Sequence, residues 1–170
     1  MSGEVTLLSP LFDAVAEKSP CRVLFVCTGN TCRSPMAAAV FCDMAEKEGR
    51  GDAFLVSSAG LYASVGEPIS AYAVEALARA GVTATPTNDY PAHRARQIEE
   101  HMVREADTVV AIGAAHAMQL LMRYPAYAAK ITTLPIDISD PYGGTLATYC
   151  DCLDALSYAI RLKWFLGEGE

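Results

Sequence analysis

Cys27 stands six residues before Arg33 and Ser34 follows at once, in the run Cys27-Thr28-Gly29-Asn30-Thr31-Cys32-Arg33-Ser34. A cysteine is a nucleophile as its thiolate, and an arginine offers a planar fork of donors that matches two oxygens of one oxyanion. A short loop that leads into a helix adds backbone N–H groups and a positive helix end, which favour an anion. Gly29 is expected to give the backbone the curvature a cradle needs. A thiol facing such a cup ionises readily and lies in line with a bound phosphorus. The amides that hold the ground state also stabilise the equatorial oxygens of the transition state.

Attack by Cys27 expels a leaving group that needs a proton, so a carboxylic acid belongs across the cup. Asp140, in Asp140-Pro141-Tyr142, and Asp137 are the candidates.

The run needs a strand before it and a helix after it. Arg22 to Val26 is a short apolar, β-favouring stretch that reads as a buried parallel strand, and Ser34-Pro35 reads as N-cap and first residue of a helix ending near Gly49. Further strands are expected at Phe54–Val56, Thr108–Ile112 and Ile131–Leu134. Helices are expected over Ala71–Ala80 and Gln97–Glu105, around Met118–Met122, and from Leu146 to about Leu166. This alternation predicts an α/β single-domain three-layer sandwich with a parallel sheet covered on both faces and its site at the carboxyl ends of the strands. Residues 1–20 read as an N-terminal extension, a short packed helix on Leu7, Leu8, Leu11, Phe12 and Val15, and residues 21–170 as the domain.

Composition narrows the functional classes. The chain has 170 residues, 52% of them hydrophobic, and a net charge of −7, which argues against a nucleic-acid binder. No secretory signal and no long apolar run is seen, so no membrane insertion is expected and the chain reads as cytoplasmic. The six cysteines are then thiols. Cys150 and Cys152 lack a second pair of the kind a zinc site needs, so no metal is expected, and Cys21 and Cys42 read as structural.

Cys27 to Ser34, with Pro35-Met36 after it, resembles the signature of the low-molecular-weight protein-tyrosine phosphatases. Ser58-Ala59-Gly60, His93 to Gln97 and Asp140-Pro141-Tyr142 follow in family order, and the resemblance covers about residues 22–165. It implies a four-stranded parallel sheet, no cofactor, a phosphorylated protein as substrate and inorganic phosphate as product. It implies Cys27 as nucleophile, Arg33 as phosphate clamp and Asp140 as general acid, with Thr28 to Ser34 binding phosphate. Ser34 would hydrogen-bond the thiolate, while Asn30 and Ser58 would support the loop. Cys32 would pair reversibly with Cys27 under oxidation. A bacterial signalling or stress role is also implied.

The expected pocket walls are Thr31, Leu61, Tyr62, Ser64 and Tyr142. Tyrosine-directed members carry a bulky aliphatic residue where Thr31 stands. The combination of Thr31, Ser58-Ala-Gly-Leu-Tyr-Ala-Ser64 and Asp140-Pro-Tyr-Gly-Gly144 is similar to the bacterial protein-arginine phosphatases. Tyr142 departs from that branch, and the segment 93–97 looks tyrosine-directed. Phosphoarginine is favoured, with phosphotyrosine as the alternative. Arsenate reductases share the fold but need further redox cysteines, and none lies between Cys42 and Cys150.

Overall fold

The computed structural model describes residues 18–166. Most of the expected N-terminal helix, over residues 1–17, lies outside the described residues. Four strands, β1 (Cys21–Cys27), β2 (Phe54–Gly60), β3 (Thr108–Ala111) and β4 (Ile131–Thr133), form one parallel sheet in the order β2-β1-β3-β4. The helices are α1 (Arg33–Lys47), α2 (Ala71–Arg79), α3 (Glu100–Glu105), α4 (Ala114–Arg123) and α5 (Leu146–Ile160).

Central strand β1 shows why the sandwich has three layers. Its period-2 alternation sends Val23, Phe25 and Cys27 into the core shared with α1, α2 and α5. Leu24 and Val26 go to the opposite core, with Leu120 of α4 and Val103 of α3. Phe25 and Val26 are both fully buried, and each such side chain contributes about 1.5–3 kcal/mol. Cys27 ends the strand on the α1 side, where the next helix begins.

Expected boundaries move at β2 and α3, where long-range pairing overrides local preference, and at the end of α5. β2 continues from Val56 to Gly60, because Ser57 to Gly60 pair in register with Leu24 to Cys27. α3 starts at Glu100 instead of Gln97, since Ile98 N–H donates to Gly60 O at 2.8 Å and keeps that stretch extended. α5 stops at Ile160 and gives way to a wider π turn over Arg161–Phe165. That turn sets Trp164 and Phe165 against Phe41, with ring centroids 5.2 Å away in both cases.

Candidate active site

The loop from Cys27 to Arg33 curls at one residue. Asn30 adopts φ 59°, the left-handed conformation, whereas Gly29 does not have positive φ. The curvature expected of Gly29 is therefore supplied by Asn30, whose buried amide offsets the cost of that backbone. Its Nδ2 donates to Ser34 Oγ at 2.8 Å and Ser58 Oγ at 2.9 Å, and its Oδ1 accepts from Arg96 N–H at 2.9 Å. His93 Nε2 donates to Asn30 O at 2.8 Å, and Arg96 donates twice to Ser58 O.

Ser34 is not the helix cap it was expected to be. Cys32 holds the cap position of α1 without a side-chain cap bond, and Ser34, fully buried, lies in the first turn. Its hydroxyl is 2.9 Å from Cys27 Sγ. With Asn30 donating into the oxygen, the hydroxyl hydrogen is free to point at sulfur. Pro35 still falls in the first turn, where a missing N–H costs nothing. The loop residues Cys27 to Arg33 encircle a space at the start of α1.

That space is a cleft of about 230 Å³, bounded by Cys27 to Arg33, Tyr62, Ser64, Glu67, Asp140 and Tyr142. Arg33 is 11% exposed, and its Nη2 lies 3.3 Å from Asp140 Oδ2, which is 55% exposed. Asp140 Oδ1 accepts from Tyr142 N–H at 3.1 Å. Asp137, the competing acid, does not line the cleft. Tyr62 and Tyr142 are exposed at its rim, and Thr31 and Ser64 give it small polar walls.

Leu61 does not belong to these walls. It is 1% exposed and packs with Val26 and Leu120, because it continues the alternation of β2 toward the α3–α4 core. Gly60 beside it is required: a Cβ there would lie 2.6 Å from Thr28 O.

His116 carries no motif signal and was not anticipated. It sits on the buried face of α4 with Leu120 one turn on, and its Nε2 is 2.9 Å from Thr28 Oγ1. Burial lowers its pKa from the usual value, the Arg33 charge lowers it further, and Asp140 opposes both. His93 is also lowered, first by burial and then by Arg96 and Arg94, against the Asn30 carbonyl bond. Both rings therefore favour the neutral form.

Of the remaining thiols, Cys32 and Cys152 are buried, and Cys21, Cys42 and Cys150 are partly buried. Burial pushes Cys152 up to about 12 and Cys42 up to about 11, so neither offers a ready thiolate. Cys32 Sγ lies 3.3 Å from Tyr149 Oη, and burial with that bond pushes Tyr149 up to about 12. All six cysteines are free.

A thiol beneath an oxyanion cup, with a guanidinium and a carboxyl at the mouth, is equipped to attack phosphorus; this is the class of cysteine-dependent phosphatases. Comparison with known families gives the narrower assignment. A family model described as low molecular weight phosphotyrosine protein phosphatase matches residues 22–165, and the chain belongs to that family of phosphoprotein phosphatases. The protein-arginine-phosphatase of Bacillus subtilis (strain 168) is 34% identical over 146 residues, 82% of this chain and 91% of the relative. A solved low molecular weight protein tyrosine phosphatase from T. tengcongensis is 40% identical with TM-score 0.73, covering 82% of this chain and 95% of its own. A solved YwlE arginine phosphatase, a Cys-to-Ser variant with a phosphorylated active-site serine, is 33% identical with TM-score 0.74, covering 85% and 97%.

Proposed function

We propose that this phosphatase hydrolyses phosphoarginine in proteins through a phosphocysteine on Cys27. In the first step the Cys27 thiolate attacks phosphorus, the P–N bond breaks, and Asp140 protonates the departing guanidine nitrogen. The loop amides from Thr28 to Ser34 and the Arg33 fork hold the three phosphoryl oxygens. In the second step water attacks the same phosphorus, Asp140 takes its proton, the S–P bond breaks, and phosphate leaves. Ser34 eases departure of sulfur by donating to the returning thiolate, and Asn30 and Ser58 keep the loop in shape. Cytoplasmic residence in a bacterium fits this reading. No helix among the described residues is long and apolar enough to cross a membrane.

The observation that supports phosphoarginine is Thr31 on the cleft wall. Its hydroxyl can engage a guanidinium or the attacking water, and its small size gives up apolar contact with a phenyl ring. Glu67 on the same wall suits a cationic group. Phosphotyrosine is the second reading, supported by the exposed rings of Tyr62 and Tyr142 at the rim. Steady-state turnover on matched phosphoarginine and phosphotyrosine peptides decides between them. Thr31→Ile is expected to shift preference toward phosphotyrosine, and an unchanged ratio would remove Thr31 from the account.

Redox control by Cys32 belongs to the same proposal. Peroxide oxidises Cys27 to a sulfenic acid with release of water, and Cys32 condenses with it to a disulfide, releasing a second water. Without Cys32 the sulfenic acid is open to a second peroxide, which takes it to the irreversible sulfinic acid with release of water, so Cys32→Ser is expected to recover less activity on dithiothreitol than the parent as peroxide exposure lengthens; equal recovery at every exposure would contradict this role.

A further inference from the structure

The wall carrying Tyr62 is fixed from outside the cleft. Its backbone is tied to the phosphate loop, with Leu61 N–H donating to Cys27 O and Tyr62 N–H to Thr28 O, both at 2.9 Å. The carbonyl of Leu61 accepts from two side chains, Gln97 Nε2 at 2.7 Å and Arg123 Nη1 at 3.0 Å. Arg123, the last residue of α4, also sets its guanidinium carbon 4.6 Å from the centroid of the Tyr62 ring. One guanidinium thus locks a carbonyl of the rim and covers one face of the rim's aromatic ring. Arg123 does not itself line the cleft.

A tyrosine that is 65% exposed would ordinarily sample several rotamers, and a ligand would have to order it. Stacking under Arg123 removes that freedom in advance. The other face and the edge of the ring are left for the cleft.

We propose that Arg123 is a positioning residue for substrate selection, holding Tyr62 as a preformed flat wall that favours a planar phosphorylated side chain over a compact aliphatic phosphate. The inference rests on the Cys27 phosphatase reading and holds whether the planar group is a guanidinium or a phenyl ring. Arg123 touches no reacting atom, so its effect falls on KM.

Arg123→Gln removes the cation from the ring and, being two bonds shorter, also gives up Leu61 O, which Gln97 Nε2 still holds at 2.7 Å; the Tyr62→Ala background isolates the ring contact. Turnover is measured on a phosphoarginine peptide, a phosphotyrosine peptide and acetyl phosphate, which is too small to reach Tyr62. In Arg123→Gln, KM for whichever planar substrate the parent prefers is expected to rise about two- to five-fold with kcat retained. Acetyl phosphate turnover should be unchanged, and Arg123→Lys should recover part of the loss. In a Tyr62→Ala background the same substitution should do nothing further. An equal loss on acetyl phosphate, or an equal further loss without the Tyr62 ring, overturns the proposal. A parent enzyme inert on all three substrates would instead bring down the phosphatase reading, and this inference with it.

Discussion

Arg33 and Asp140 face each other across the mouth of the cleft with Nη2 and Oδ2 3.3 Å apart. The proposed phosphate clamp and the proposed acid are therefore competitors as well as partners. A phosphoryl group and the Asp140 carboxylate both seek the same guanidinium, and with Asp140 55% exposed the pair is worth only about 0–1 kcal/mol. Asp140→Asn should slow turnover by about 10²–10⁴-fold through loss of proton transfer. It should at the same time strengthen inhibition by inorganic phosphate, by up to about five-fold, because a rival charge is gone. Asp137→Asn, outside the cleft, should leave both within about two-fold, a margin about that expected for a distant surface substitution. Steady-state kinetics and phosphate Ki values check this, and the reverse order of effects would reassign the acid.

Asn30 combines left-handed backbone with three side-chain bonds, two of them buried. Asn30→Ala places a non-glycine residue without compensation in that conformation, at about 1–2 kcal/mol, and loses bonds worth about 0.5–1.5 kcal/mol each. A loss of about 3 kcal/mol in urea unfolding is expected, together with a large fall in kcat. Stability unchanged within about 0.5 kcal/mol would show that Asn30 does not hold the loop.

His93 and His116 make folding stability depend on pH in a definite direction. Their folded pKa values lie below the unfolded value of about 6.5. As pH falls through that value the unfolded chain takes up protons first, so stability is full above it and is lost progressively toward the lower folded values. Urea unfolding at pH 8 and at pH 5.5 should show lower stability at the acid value. His93→Gln with His116→Gln should flatten the slope over that interval. An unchanged slope in the double variant would contradict the assignment.

Gly60 meets the loop so closely that any side chain must displace Thr28 O, 2.6 Å from a built Cβ. Gly60→Ala should cost about 1–3 kcal/mol by overpacking and lower kcat, because the displaced carbonyl adjoins the nucleophile. Normal kcat/KM in this variant would show that the loop tolerates movement.

Much of this was legible in the sequence because local chemistry and fold agree there. Val23 to Val26 is apolar on both faces, as a central parallel strand must be, and Cys27 to Ser34 carries its own strand–loop–helix context. What escaped depends on distant partners. Gly29 looked like the flexible point, but Asn30 takes the turn because Ser58 and Arg96, far along the chain, satisfy its amide. Leu61 looked like pocket wall by adjacency to Tyr62, yet alternation turned it into the core. His116 and Arg123 lie on an amphipathic helix with no motif, and only the packing of α4 beside β3 brings them to the loop and rim.

Sulfur at position 27 is what the whole mechanism turns on, and Cys27→Ser tests it most directly by steady-state hydrolysis of the preferred phosphopeptide alongside phosphate affinity. Hydrolysis is predicted to fall to the background rate, while phosphate binding stays within about three-fold, since the loop amides and the Arg33 fork are untouched. A serine enzyme that turned over at the parental rate would contradict the account.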